Sequence, residues 1–186
     1  MERTLTTHSA AETQALGAEF GLSLAPGELV AFFGDLGSGK TCMIQGLCEA
    51  LEVADYVNSP TFMLINQYAG RLRGQDLPIY HFDLYRLQGP DELEDLGAEE
   101  YFYGRGVCLV EWAERAGGFL PRGAAKYGWN TSATMNGELF CAVKRYRSER
   151  ETAVRPRSTL CMSLCDFVIK TAVRGSTITR EGFCRG

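Results

Sequence analysis

Residues 34–41 read Gly-Asp-Leu-Gly-Ser-Gly-Lys-Thr and fill every fixed position of the phosphate-binding pattern G-x-x-x-x-G-K-[ST]. No other stretch restricts the fold as much, because the pattern needs a turn from a buried strand into a helix. Both flanks supply that setting: Glu28 to Phe33 is an apolar run of strand length, and Thr41 to Leu51 carries Met43, Ile44, Leu47, Ala50 and Leu51 at helical spacing. Glycines let the backbone turn tightly enough to aim successive N–H groups inward, at the positive end of the following helix, where a polyphosphate settles. Asp35, Leu36, Gly37, Ser38, Gly39, Lys40 and Thr41 are therefore the expected nucleotide contacts. Lys40 would reach the β- and γ-phosphates, and the Thr41 hydroxyl would be a ligand of the Mg²⁺ that bridges them.

The remaining pattern suits an α/β fold, a P-loop NTPase-like three-layer sandwich with a mostly parallel sheet, an antiparallel addition and the ligand at the strand C-terminal ends. Thr7 to Phe20 opens with hydroxyl residues suited to capping and places Ala11, Ala15, Leu16 and Ala18 at helical spacing, which predicts an amphipathic helix beside the nucleotide strand. Phe62–Tyr68 and Leu77–Asp83 read as antiparallel strands joined by a tip at Gly70–Gln75. Period-two geometry puts Ile79, His81 and Asp83 on one face of the second strand and Tyr80, Phe82 and Leu84 on the other. Pro90 to Gly97 predicts a short helix with acids in its first turn, and Gly106–Trp112 a buried strand that carries Glu111 near its end.

A phosphate loop holds nucleotide; hydrolysis also needs a second magnesium anchor and a group that places the attacking water. Glu111 either anchors the metal at the end of its strand or is a terminal acid turned to solvent. Asp83 either orders water or metal or is a satisfied polar residue on an edge strand. Ser59-Pro60-Thr61 either senses the γ-phosphate or is a turn that starts the next strand. Arg86 is a candidate phosphate contact in cis or a plain exposed cation, and His81 reads as a core or hydrogen-bonded histidine with no chemistry assigned.

Composition narrows the class. The chain has 186 residues, enough for about one domain, and a net charge of −4. Residues 1–121 hold 7 basic against 18 acidic side chains, whereas residues 122–186 hold 12 against 5. An acidic body is a poor nucleic-acid platform, so any RNA connection of this part is expected through a partner protein. The seven cysteines follow no disulfide framework, and Cys161 and Cys165 have no second pair to complete a zinc site, so reduced thiols are expected. No apolar leader or membrane-length run occurs, which points to the cytoplasm.

Four motifs in register, Gly34–Thr41, Ser59-Pro60-Thr61-Phe62, His81-Phe82-Asp83-Leu84-Tyr85-Arg86-Leu87 and Val110-Glu111-Trp112, make the chain resemble the bacterial TsaE (YjeE) family over residues 5 to 121. The resemblance implies a small, slow, Mg-dependent ATPase that works with the TsaB–TsaD complex in the N6-threonylcarbamoyl modification of adenosine 37 in tRNA. It implies ATP rather than GTP, and no Asn-Lys-x-Asp base-reading motif occurs. Carried over by position, Lys40 is the phosphate contact, Thr41 and Glu111 are the magnesium ligands, and Asp83 is required for hydrolysis. Ser59 and Thr61 form a switch-like loop, and Thr7 with the first helix forms the wall near the base. Two other functions fit the loop alone: a small-molecule kinase, for which no Arg-rich lid is visible before Pro121, and a nucleotide-binding module without turnover.

Beyond Pro121 the sequence departs from that family's pattern. Residues 1–121 are expected to form the ATPase domain and residues 122–186 an atypical basic segment, disordered or frame-shifted, with a diverged hairpin and a basic tail as the alternatives. A shifted reading frame would leave the sheet without edge strands.

Overall fold

The computed structural model describes residues 3–122, 124–133 and 139–146. Seven strands form one sheet in the order β1-β7-β6-β2-β5-β4-β3. In chain order the elements are β1 (Arg3–Thr7), α1 (Ala10–Gly21), β2 (Leu29–Phe33), α2 (Lys40–Ala50), β3 (Ile65–Leu72), β4 (Gln75–Asp83), α3 (Asp91–Asp95), α4 (Ala98–Phe102), β5 (Val107–Glu111), a 3₁₀ segment (Ala113–Phe119), β6 (Ala125–Ala133) and β7 (Leu139–Tyr146). β6, β2, β5 and β4 are parallel neighbours at the centre; β3 pairs antiparallel with β4, and β7 antiparallel with both β6 and β1. The expected mostly parallel sheet with its antiparallel β3–β4 pair is observed, with a second reversal at β7.

Alternation along the central strands divides the core into two layers. Val30, Phe32, Ile79, Val107 and Leu109 face α1 and α2, where they meet Met43, Ile44, Leu47 and Leu51. Leu29, Ala31, Phe82, Cys108 and Val110 face the opposite layer, with Leu93, Ala98, Phe102 and Ala116. Burial pushes the Cys48 and Cys108 thiols up to about 12.

α1 and α2 lie parallel and unusually close. A Cβ on Gly46 would stand 1.9 Å from the Gln14 carbonyl oxygen, and one on Gly17 would stand 2.3 Å from that of Met43. Their side chains at this seam are limited to hydrogen atoms for that reason, and the contact fixes where the N-terminus of α2 points.

Four local readings change. Thr7 ends a strand, and the helix begins at Ala10 with Ser9 as its cap, accepting from the Glu12 amide at 3.1 Å. β3 begins at Ile65, because Pro60 O accepts from the amides of Met63 and Leu64 at 3.0 and 2.8 Å and turns the chain there. The β3–β4 turn is the two-residue Arg73-Gly74, both at positive φ, which matches the right-handed twist of its strands. Gly70 belongs to β3, where Leu51 O closes on the backbone.

The sheet also continues past Pro121, so that point is not its border. Val30–Phe33 of β2 pair in parallel with Ala125–Gly128, and β6 and β7 form an antiparallel pair. The missing edge strands expected from a shifted frame are thus present through Tyr146. Ladder pairing uses backbone groups, which a search for alternating side chains does not register. Residues 147–186, with the expected basic tail and Cys161, Cys165 and Cys184, lie outside the described residues. Among the described residues no helix is long and apolar enough to cross a membrane.

Candidate functional site

The phosphate loop joins β2 to α2, as its spacing predicts. Gly37 and Gly39 take φ of 75° and 99°, left-handed values that a side chain would strain. Leu36 stands out at the tip, 77% exposed, while Ser38 is buried. Lys40 opens α2 and folds back over the loop. Its Nζ donates to the carbonyls of Gly34 and Asp35 at 2.7 and 2.8 Å and lies 3.3 Å from Ser38 Oγ. It also stands 3.9 Å from the centre of the Trp112 ring. Burial holds the Lys40 ammonium below the usual lysine range, against the opposing pull of Glu111, Glu114, Asp83 and Asp35.

Glu111 comes to the same place from the end of β5. Thr41 Oγ1 donates to its carboxylate at 2.8 and 3.0 Å, and His81 Nε2 lies 2.9 Å from Oε1. All three come from separate elements, and Glu111 and His81 are buried. Trp112 follows at φ 58°, a left-handed turn that swings its indole away from the strand direction and over Lys40.

On the neighbouring strand, Asp83 is the register partner of Glu111, so both carboxylates leave the sheet on the same face and at the same level. Asp83 Oδ2 accepts from the hydroxyls of Ser59 and Thr61, the latter at 2.9 Å, and those hydroxyls lie 2.7 Å apart. Asp83 Oδ1 accepts from the Tyr85 amide at 2.9 Å. One carboxylate therefore ties loop 59–61 to the turn after β4.

The structure thus brings together Lys40, Thr41 and Glu111 in one group and Ser59, Thr61 and Asp83 in another, side by side at the strand ends. Thr7 is not joined to either. Its buried hydroxyl pairs with that of Thr13 at 2.7 Å, although the Cys42 thiol bonded to Ala10 O at 3.2 Å shows that α1 begins at the same end of the molecule as α2. Arg86 stacks over the Phe62 ring at 4.3 Å instead of reaching toward the loop.

Two residues of the site carried no role in the sequence reading. His81 sits on the polar face that alternation predicts for β4, and that alternation with Asp83 was its only signal. Trp112 owes its place to a left-handed turn, which no local residue pattern announces in a non-glycine position.

The donor set suits a hard cation. A hydroxyl and a carboxylate already in contact are oxygen ligands of the kind Mg²⁺ takes, and Mg²⁺ ordinarily completes its octahedron with phosphate oxygens and water. Among the described residues no group of three or more His, Cys, Asp or Glu side chains forms an all-protein metal cage.

Comparison with known proteins agrees with this architecture. The family model for "Threonylcarbamoyl adenosine biosynthesis protein TsaE" matches residues 7–138 and so runs past Pro121. The tRNA threonylcarbamoyladenosine biosynthesis protein TsaE of Bacillus subtilis is 45% identical over 60% of this chain and 66% of its own length. That of Treponema pallidum is 38% identical over 73% of this chain and 97% of its own, and that of Haemophilus influenzae 43% identical over 50% and 56%. The chain thus spans about two thirds or less of two of these relatives and nearly all of the third. The crystal structure of YdiB from Bacillus subtilis superposes with a TM-score of 0.59 and 31% identity, covering 78% of this chain and 86% of that one. A match that holds from Thr7 through the phosphate loop and both carboxylate strands into β6 places this chain in the TsaE family of tRNA threonylcarbamoyladenosine biosynthesis.

Proposed function

We propose that the chain is a Mg-dependent ATPase that acts with TsaB and TsaD in the threonylcarbamoylation of tRNA. The observation that carries this reading is the contact of Thr41 Oγ1 with the Glu111 carboxylate at 2.8 Å, directly beside Lys40. Nucleotide-binding loops are common; a strand-end carboxylate placed on the loop's own threonine is what a metal-dependent phosphoryl reaction adds.

In this reading the loop amides and Lys40 bind the phosphates, with Lys40 giving up its carbonyl contacts for the β- and γ-oxygens. Thr41 and Glu111 would hold Mg²⁺, which would supply positive charge to the phosphates. Asp83 presents Ser59 and Thr61 toward the γ-phosphate and positions the attacking water. The water oxygen bonds to the γ-phosphorus, the bond to the β–γ bridging oxygen breaks, a proton of the water passes to a phosphate oxygen, and ADP and phosphate leave. The loop N–H groups and the Lys40 ammonium do the holding, and no covalent intermediate on the protein is needed.

Exposed apolar side chains near these residues support one position for the partner. Leu36, Phe62 and Met63 are 77%, 81% and 76% exposed, and the half-exposed Tyr85 ring lies 4.9 Å from that of Trp112 at a tilt of 47°. We place the partner complex on this apolar rim, where docking would press on loop 59–63 and so on Asp83.

Phosphate release measured with and without the TsaB–TsaD complex tests the proposal. Stimulated hydrolysis lost in both Lys40→Ala and Glu111→Ala supports it. Turnover unchanged in Glu111→Ala, or phosphate passed to a small metabolite, overturns it.

A further inference from the structure

The geometry points to His81 as a positioning residue that sets which oxygen of Glu111 is offered to the metal. This inference rests on the reading of Thr41 and Glu111 as the Mg²⁺ anchor. His81 is fully buried, and its Nε2 lies 2.9 Å from Glu111 Oε1. A carboxylate oxygen only accepts, so Nε2 carries the hydrogen and donates. The other ring nitrogen, Nδ1, is buried without a hydrogen-bond partner. Among the described residues the imidazole thus makes one polar contact, and that contact is Glu111.

Packing alone does not account for such a side chain. Its neighbours along the same face of β4 and β5 are Ile79 and Leu109, both completely buried, and an aliphatic residue would fill the position without burying an unpaired nitrogen. The hydrogen bond also breaks the equivalence of the two carboxylate oxygens. Oε1 is met by both His81 and the Thr41 hydroxyl, at 2.9 and 2.8 Å, whereas among the described residues Oε2 is met by the Thr41 hydroxyl alone, at 3.0 Å, and keeps no other donor once that hydroxyl turns to a cation. Oε2 is therefore the oxygen free to exchange the hydroxyl for a cation, and the carboxylate cannot rotate without giving up the His81 contact. Outer partners of this kind typically contribute about 10–100-fold to metal affinity.

The test uses Mn²⁺ as the probe in the full chain. Its binding in the presence of ATP is followed by electron paramagnetic resonance, and binding of a fluorescent ATP analogue is followed separately in EDTA. His81→Leu removes the donor, His81→Asn has an amide too short to reach Glu111, and His81→Gln has an amide at the reach of Nε2. Leu and Asn should weaken Mn²⁺ binding by about tenfold or more, and Gln should recover most of it, while nucleotide affinity in EDTA changes by less than about twofold in all three. A purely structural role would move Gln together with Asn, and that outcome overturns the inference, as does Mn²⁺ affinity equal to the parent's in both Leu and Asn. Should Leu fail to fold, the Asn and Gln pair decides alone. If the unsubstituted chain binds the analogue but takes up no Mn²⁺, the metal anchor itself is wrong and this inference falls with it; that result is recognised before any variant is made.

Discussion

Replacing Gly46 by alanine would place a methyl carbon 1.9 Å from the Gln14 carbonyl oxygen, 2.8 Å from its carbon and 3.0 Å from the Ala18 nitrogen. All three are backbone atoms of α1, so no side chain can swing aside. Relief requires the two helices to part by more than an ångström along a seam that also includes Gly17. Helix propensity acts the other way, favouring alanine by about 1 kcal/mol. Forcing a methyl into a closed contact costs about 1–3 kcal/mol and more where the neighbours cannot yield. With rigid backbone on the far side, the upper end applies, and the net loss is about 2 kcal/mol. In a domain of this size that corresponds to a fall in Tm of about 4–8 °C. Thermal unfolding followed by circular dichroism reads it directly. A Gly46→Ala protein as stable as its parent would refute the argument, since propensity would then have prevailed over the overlap. Gly37→Ala is the contrast: nothing lies within 4 Å of its added methyl, so its effect comes from the left-handed φ of 75° alone and should be smaller, about 1 kcal/mol.

Three further outcomes are expected. Phe62→Ser combined with Met63→Ser should abolish stimulation of phosphate release by the partner complex while basal turnover persists; stimulation that survives the double change would remove the rim from the interface. Cys48 and Cys108, with thiols held near 12 by burial against an ordinary value of 9.0, should resist iodoacetamide at pH 8.5 in the native protein, as judged by mass spectrometry. The same groups make stability fall as pH rises from about 9 toward 12, because the unfolded chain releases those protons first; a denaturation midpoint flat across that window would contradict the assignment.

Much of the site could be read from residue order. The loop announces itself through spacing and flanks, and alternation in Ile79-Tyr80-His81-Phe82-Asp83 already set His81 and Asp83 on one face. The parallel pairing that puts Asp83 level with Glu111 is a register between strands nearly thirty residues apart along the chain, and local pattern carries no information about it. The same holds at the edges. Thr7 reads as the start of a helix because its strand partner, Cys141, is too remote along the chain for local pattern to reveal. Lys126, Asn130, Thr131 and Ser132 look unstructured as a string, yet the ladder with β2 and β7 asks only for their backbones. The distinct job of Thr61 as a partner of Asp83, rather than the first residue of a strand, depends on the turn at Pro60.

The level placement of Asp83 and Glu111 has a mechanical consequence. Adjacent strands stand about 4.8 Å apart, so two negative charges share one rung of the ladder. Like charges directly opposite one another repel, and that repulsion opposes close pairing of β4 and β5 at this rung. The ammonium of Lys40, which feels the attraction of both carboxylates, offsets that repulsion, and a divalent ion at Thr41 would do the same. The tightness of the sheet at this end is thus tuned by positive charge, and amide hydrogen exchange at Asp83, Leu84 and Glu111 should slow in proportion to how much of it is present.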